Sequence, residues 1–324
     1  MVSIPGLHRR AIVPGVYCPT QCFFDPVTED LDLDSVAKHA VRLAQAGIVG
    51  ITTNGSNGEA PYLSRNERKL VTSTTRSALD KARFNSTPII VGASAESVRG
   101  TLQLCRDAEE SGGDAVLILV PSFFKWAMNA GTIKSYLWQV ADQSPLPIII
   151  YNYPGAVAGI DIDSDLLTTL AQHPNIVGTK FTCGNVGKVA RVAAAAKAST
   201  AEGRTEGEYY CFSGVADLIA PALAVGACGA IVGAANVFPK TCVELFDLCV
   251  EGGDGRKIRD LQALLAEGDW AMTKRAIPGF KAVLDKYHGY GGVPRQPMPT
   301  LDQAAKDELY AEVAKIMKHE ATLK

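Results

Sequence analysis

The sequence predicts an α/β fold: a (β/α)8 TIM barrel with a C-terminal helical extension. Eight short β-branched or aliphatic runs recur roughly every 20 to 40 residues, each followed by a stretch of helical periodicity. The runs are almost wholly apolar rather than alternating, as parallel strands covered on both faces are. A closed eight-stranded barrel is the simplest arrangement that satisfies both observations.

The runs fall at 11–17, 48–53, 88–92, 115–120, 147–151, 175–180, 209–213 and 230–233. Helix punctuation lies between them. Asp34 precedes Val36, Ala40, Leu43 and Ala44 on one helical face, and Gly47 supplies a stop. Ser64 with Glu67 three residues later forms a capping box ahead of Leu70 and Val71. Gly112 and Gly113 close the segment that begins near Glu96, and Asp163 precedes Leu166, Leu167 and Leu170. The polar stretch KASTAEGRTEGE at 197–208 reads as a solvated loop leading into the seventh strand. After Gly233 the pattern is helical only, at 239–250, 256–266, 270–287 and 301–318. Residues 1–238 are thus expected to form the barrel, and 239–324 its last helix plus an extension packed on the same unit.

Lys plus Arg number 32 against 34 Asp plus Glu, a formal net charge of −2, which argues against a nucleic-acid binder or a polybasic membrane partner. No apolar run approaches the roughly 18 residues of a membrane helix. The start, MVSIPGLHRRAIVPGV, lacks the continuous apolar core of a secretory leader. The eight cysteines are scattered without a Cys-x-x-Cys pair and read as reduced thiols of a cytoplasmic protein. The five histidines are equally dispersed, so no metal site is expected.

A barrel of this kind places its chemistry at the carboxyl ends of the strands. Lys180 ends the sixth run; alternation puts Ile176, Gly178 and Lys180 on one face, and if that face points inward the amine stands at the barrel mouth. Half-deprotonation at neutral pH needs a depression of roughly 3.4 units from 10.4, a scale that desolvation can supply, which makes a Schiff-base nucleophile reasonable. The alternative is a strand-end lysine that snorkels to solvent. Tyr151 ends the fifth run, as a proton relay or as a buried tyrosine with a satisfied hydroxyl. The turn Gly55–Ser56–Asn57–Gly58–Glu59 after the second run is either a cradle of N–H and side-chain donors for a carboxylate or simply a tight turn.

Together, GSNGE at Gly55, YNYP at Tyr151 and VGTK ending at Lys180 resemble the dihydrodipicolinate synthase and N-acetylneuraminate lyase family of class I aldolases. The resemblance covers most of the chain, including GACGAIVGAANVFP from Gly226 and PGFKAVLDKYHGYGGVPRQPM from Pro278. It implies that Lys180 forms a Schiff base with a 2-oxo acid, that Tyr151 moves protons, and that Gly55, Ser56 and Asn57 bind the carboxylate. It also implies pyruvate and an aldehyde as small-molecule partners, no cofactor, and a homotetramer or homodimer.

Two departures narrow the member. Where the synthases carry an arginine shortly after the YNxP motif, this chain has Ala156. Basic residues elsewhere, such as Lys125 or Arg295, are candidates to replace it. The tyrosine that the family donates across a subunit contact is absent too: Pro121 is followed by Ser122, Phe123 and Phe124. In motif the chain is more similar to eukaryotic 4-hydroxy-2-oxoglutarate and 2-keto-3-deoxy sugar acid aldolases. The expected activity is cleavage or formation of a 2-keto-3-deoxy sugar acid, with 4-hydroxy-2-oxoglutarate cleavage, 4-hydroxy-tetrahydrodipicolinate synthesis and a silent 2-oxo acid sensor as alternatives.

Overall fold

Eight parallel strands close into a barrel in chain order: β1 (Gly15–Pro19), β2 (Gly50–Thr53), β3 (Ile89–Gly92), β4 (Ala115–Ile118), β5 (Ile148–Asn152), β6 (Ile176–Phe181), β7 (Tyr210–Ser213) and β8 (Gly229–Ile231), with β8 pairing back onto β1. The computed structural model describes residues 9–201 and 209–324. Helices α1 (Leu33–Gln45), α2 (Arg65–Lys81), α3 (Val98–Glu110), α4 (Ala130–Gln143), α5 (Ser164–Leu170), α6 (Val186–Ala201), α7 (Ile219–Ala224) and α8 (Pro239–Val250) follow the strands in turn. The Ser64–Glu67 capping box is formed, and Asp163 caps α5 by accepting from Leu166 N. Asp32 rather than Asp34 caps α1, accepting from Ser35 N.

The larger core lies between strands and helices; a smaller one fills the barrel and includes Tyr17, Ile90, Leu117, Ile149, Phe212 and Ile231. Tyr17 needs Gly50 beside it, since a Cβ there would sit 2.1 Å from its ring. This plug closes the barrel beneath the mouth. It also explains why β1 starts at Gly15 and not at residue 11: the Tyr17 hydroxyl bonds Val13 N and O, both at 2.9 Å, and holds the preceding segment off the sheet while Ile12 joins the interior.

Residues 197–201, expected as loop, instead complete α6. The remainder of that polar stretch, 202–208, and residues 1–8 of the segment read for a leader lie outside the described residues. The two expected helices at 256–266 and 270–287 form α9 (Gly255–His288), whose two helical halves meet at Ala276 rather than at 267–269, followed by α10 (Gln303–Thr322). No break occurs near Gly268 because this residue packs closely under α10, where a Cβ would lie 2.9 Å from Ile316 Cδ1. The bend comes instead at Ala276 (φ 48°, ψ −143°), two residues before Pro278, whose ring excludes the carbonyl of the preceding turn. Among the described residues no helix is long and apolar enough to cross a membrane.

Candidate active site

Lys180 and Tyr151 meet because β5 and β6 run in register there, Tyr151 opposite Lys180, with Phe212 opposite Lys180 on β7. The register is not continuous. Ile148 pairs with Ile176 but Ile149 pairs with Gly178, so Val177 is an inserted residue. Ile176 therefore packs in the outer core while Val177 turns toward the interior. The expectation that Ile176 shares a face with Gly178 and Lys180 fails at this bulge, which re-aims the strand and leaves Lys180 pointing inward.

Lys180 is 3% exposed, and its Nζ lies 4.1 Å from the centroid of the Tyr151 ring. No carboxylate forms an ion pair with it among the described residues. Burial without a counter-charge pushes the amine down to about 7, with the Cys18 thiol opposing the shift weakly. Burial raises the Tyr151 phenol to about 12, against which the Ser56 and Thr182 hydroxyls beside it work. Tyr153 stacks on Tyr151 at 5.5 Å and holds the ring.

The β2 turn is bracketed by left-handed Asn54 (φ 54°) and Glu59 (φ 52°). Its carbonyls take the N–H groups of Gly58, Glu59 and Ala60. The N–H groups of Ser56 and Asn57 have no acceptor among the described residues, so the turn presents free donors. Gly92 allows this turn to settle: a Cβ at 92 would stand 1.9 Å from Asn54 O. The Ser56 side chain reaches Tyr151, whereas that of Asn57 packs against Gly233 beyond β8, its Nδ2 3.2 Å from where a Cβ would be.

A cavity of about 350 Å³ opens here, lined by Gly55, Ser56, Tyr151, Ala156, Arg68 and Ser94 among others; Asn57 and Lys180 are not in its lining, and Lys180 sits behind the Tyr151 ring. Neither residue named above as a candidate replacement for the missing arginine lines it. Arg295 is tied to Glu67 at 2.6 Å, Tyr62 O at 2.9 Å and Glu29 O; Lys125 is exposed beside Gly159. The fourth-strand loop is held by Glu96, which accepts from Ser122 N at 2.8 Å and Phe123 N at 3.0 Å. Phe123, Phe124 and Trp126 on that loop are 79%, 57% and 87% exposed.

The segment between α9 and α10 straps the mouth. Arg295 N donates to Glu59 Oε2 at 2.9 Å, and Met298 lines the cavity. Beneath it, Glu59 pairs with Lys281 at 2.6 Å, both side chains fully buried, and Lys281 Nζ donates to Val293 O at 2.9 Å. Lys281→Met leaves Glu59 as an uncompensated buried charge, so a loss of about 3 to 5 kcal/mol in a urea titration is expected. A loss below about 1 kcal/mol would remove this pair from the account of how the turn is anchored.

Arg68, Ser94 and the Glu59–Lys281 pair were not singled out from sequence. Arg68 had a readable signal: it is a cation in the first turn of a helix, against the dipole. Lys281 had none, because its partner lies more than 200 positions away.

A parallel barrel with an uncompensated amine and a free-donor turn at the carboxyl ends of its strands is an enzyme scaffold of the (β/α)8 class. The chain belongs to the dihydrodipicolinate synthetase family, whose model matches residues 20–316. It is 47% identical over 325 residues to an L-threo-3-deoxy-hexylosonate aldolase of Aspergillus niger, covering 96% of this chain and 97% of that one. It is 44% identical to an Emericella nidulans protein named "Probable 4-hydroxy-2-oxoglutarate aldolase, mitochondrial", covering 92% and 94%. Among solved structures, a dihydrodipicolinate synthase family protein of Coccidioides immitis superposes with a TM-score of 0.84 at 34% identity, covering 96% of this chain and 98% of that one.

Proposed function

We propose that this protein is a class I aldolase that cleaves a 2-keto-3-deoxy sugar acid into pyruvate and an aldehyde through a Schiff base on Lys180. The carrying observation is the buried Lys180 amine, without a carboxylate partner and pushed down to about 7, directly over the Tyr151 ring.

The neutral amine attacks C2 of the 2-oxo acid, and loss of water gives an iminium, while the N–H groups of Ser56 and Asn57 hold the C1 carboxylate. Removal of the C4 hydroxyl proton then breaks the C3–C4 bond. The electron pair flows into the iminium, giving the enamine of pyruvate and a free aldehyde. A phenol raised to about 12 is protonated at neutral pH, so Tyr151 works as a relay, accepting the C4 proton as its own passes to the Ser56 hydroxyl, which hands its proton on to solvent. Protonation at C3 and hydrolysis release pyruvate and restore the amine. A sensor that only bound 2-oxo acids would gain nothing from an amine kept uncharged at this depth.

The second reading, 4-hydroxy-2-oxoglutarate cleavage, is favoured by the Arg68 cation in the cavity and by the Emericella nidulans relative. The synthase reading is disfavoured by Ala156. We assign the protein to the cytoplasm on its free cysteines, and we assign it a dimer or tetramer on the exposed Phe123, Phe124 and Trp126 beside the mouth. Light scattering of the purified chain tests the assembly; a monomer at working concentration contradicts it.

The substrate panel that tests the function measures pyruvate release from 2-keto-3-deoxyhexonates and from 4-hydroxy-2-oxoglutarate, alongside condensation of pyruvate with aspartate semialdehyde. The highest kcat/KM is expected for a hexonate. A clear preference for aspartate semialdehyde would restore the synthase reading.

A further inference from the structure

We propose that Arg68 selects the aldehyde half of the substrate by holding the tail beyond C4; this rests on the aldolase reading above and names the recognition that reading leaves open. Arg68 stands in the first turn of α2, where the helix dipole opposes a cation. Arg65 at the same end is compensated, donating to both oxygens of Asp107 at 2.8 and 2.7 Å. Arg68 is not: it donates to Ala60 O at 2.6 Å, and among the described residues no carboxylate pairs with it. It is half-buried, and burial works against its charge.

A guanidinium carries five N–H donors, so one bond to Ala60 leaves most of them unused. Arg68 lines the same cavity as Ser56 and Tyr151. Ser94 lines it too; its Oγ accepts from Leu119 N at 2.7 Å, which leaves its O–H to donate. Ala156, where the synthases place their arginine, offers no side-chain donor. The polar partners for the tail therefore stand on the β2–β3 side of the mouth. A surplus of donors calls for an acceptor-rich tail: the C5 and C6 hydroxyls of a hexonate, or a terminal carboxylate.

The test compares wild type with Arg68→Met on two substrates, a 2-keto-3-deoxyhexonate and 4-hydroxy-2-oxopentanoate, whose tail is a methyl group. The expected result is a roughly ten- to hundred-fold loss of kcat/KM on the hexonate, carried mainly by KM, as for loss of a hydrogen bond to a charged group. The ratio of the two kcat/KM values should fall at least ten-fold, and Arg68→Lys should recover part of it. Borohydride trapping of pyruvate, which has no tail, shows that the variant retains a folded site. An equal loss on both substrates, or no loss on either, overturns the proposal. If the wild type traps pyruvate but cleaves neither substrate, the aldolase reading itself falls.

Discussion

Lys180→Met is expected to abolish turnover while making the protein more stable. The other buried amine near the mouth, Lys281, is held by Glu59 and cannot replace the nucleophile, so kcat should drop to the limit of detection. The gain in stability follows from the cost of keeping the amine buried. A group held at about 7 in the folded state and near 10.5 when unfolded opposes folding, at neutral pH, by on the order of 4 kcal/mol. The unfolded chain binds more protons than the folded one between these values, so wild-type stability rises as pH is raised from about 7 toward 10.5. The variant loses that part of the slope. Because the uncharged amine is the nucleophile, wild-type kcat/KM should climb with pH through about 7 and then level. Urea titrations at several pH values, with a pH–rate profile, check both arms. A variant less stable than wild type would mean that Lys180 serves the fold.

Tyr151→Phe is expected to lower kcat by roughly 10²-fold or more while leaving pyruvate trapping largely intact, the signature of a lost proton carrier. The stacking partner Tyr153 and the apolar floor still hold the phenyl ring, so the fold should be preserved. Ser56→Ala and Tyr151→Phe should combine less than additively, because both interrupt one relay. An unchanged kcat in Tyr151→Phe would remove Tyr151 from the mechanism.

The barrel was legible because its strands are short apolar runs with helical periodicity between them, and every predicted run overlaps a strand. What escaped depended on contacts distant in sequence. The start of β1 is set by the Tyr17–Val13 bonds inside the barrel, the extra residue at Val177 by pairing with β5, and the passage of α9 through Gly268 by close packing against Ile316. At the site, Lys180, Tyr151 and the turn from Gly55 could be read because each ends a run. Arg68 could not be placed at the mouth from sequence, since its relevance lies in which cavity it lines and in the absence of a carboxylate beside it.

Reductive trapping decides whether Lys180 is the nucleophile: incubation with pyruvate and borohydride, digestion, and mass spectrometry of the peptides. One reduced pyruvyl adduct is expected, on Lys180 and absent from Lys180→Met. An adduct on a different lysine, or none from enzyme that is turning over, would contradict that assignment.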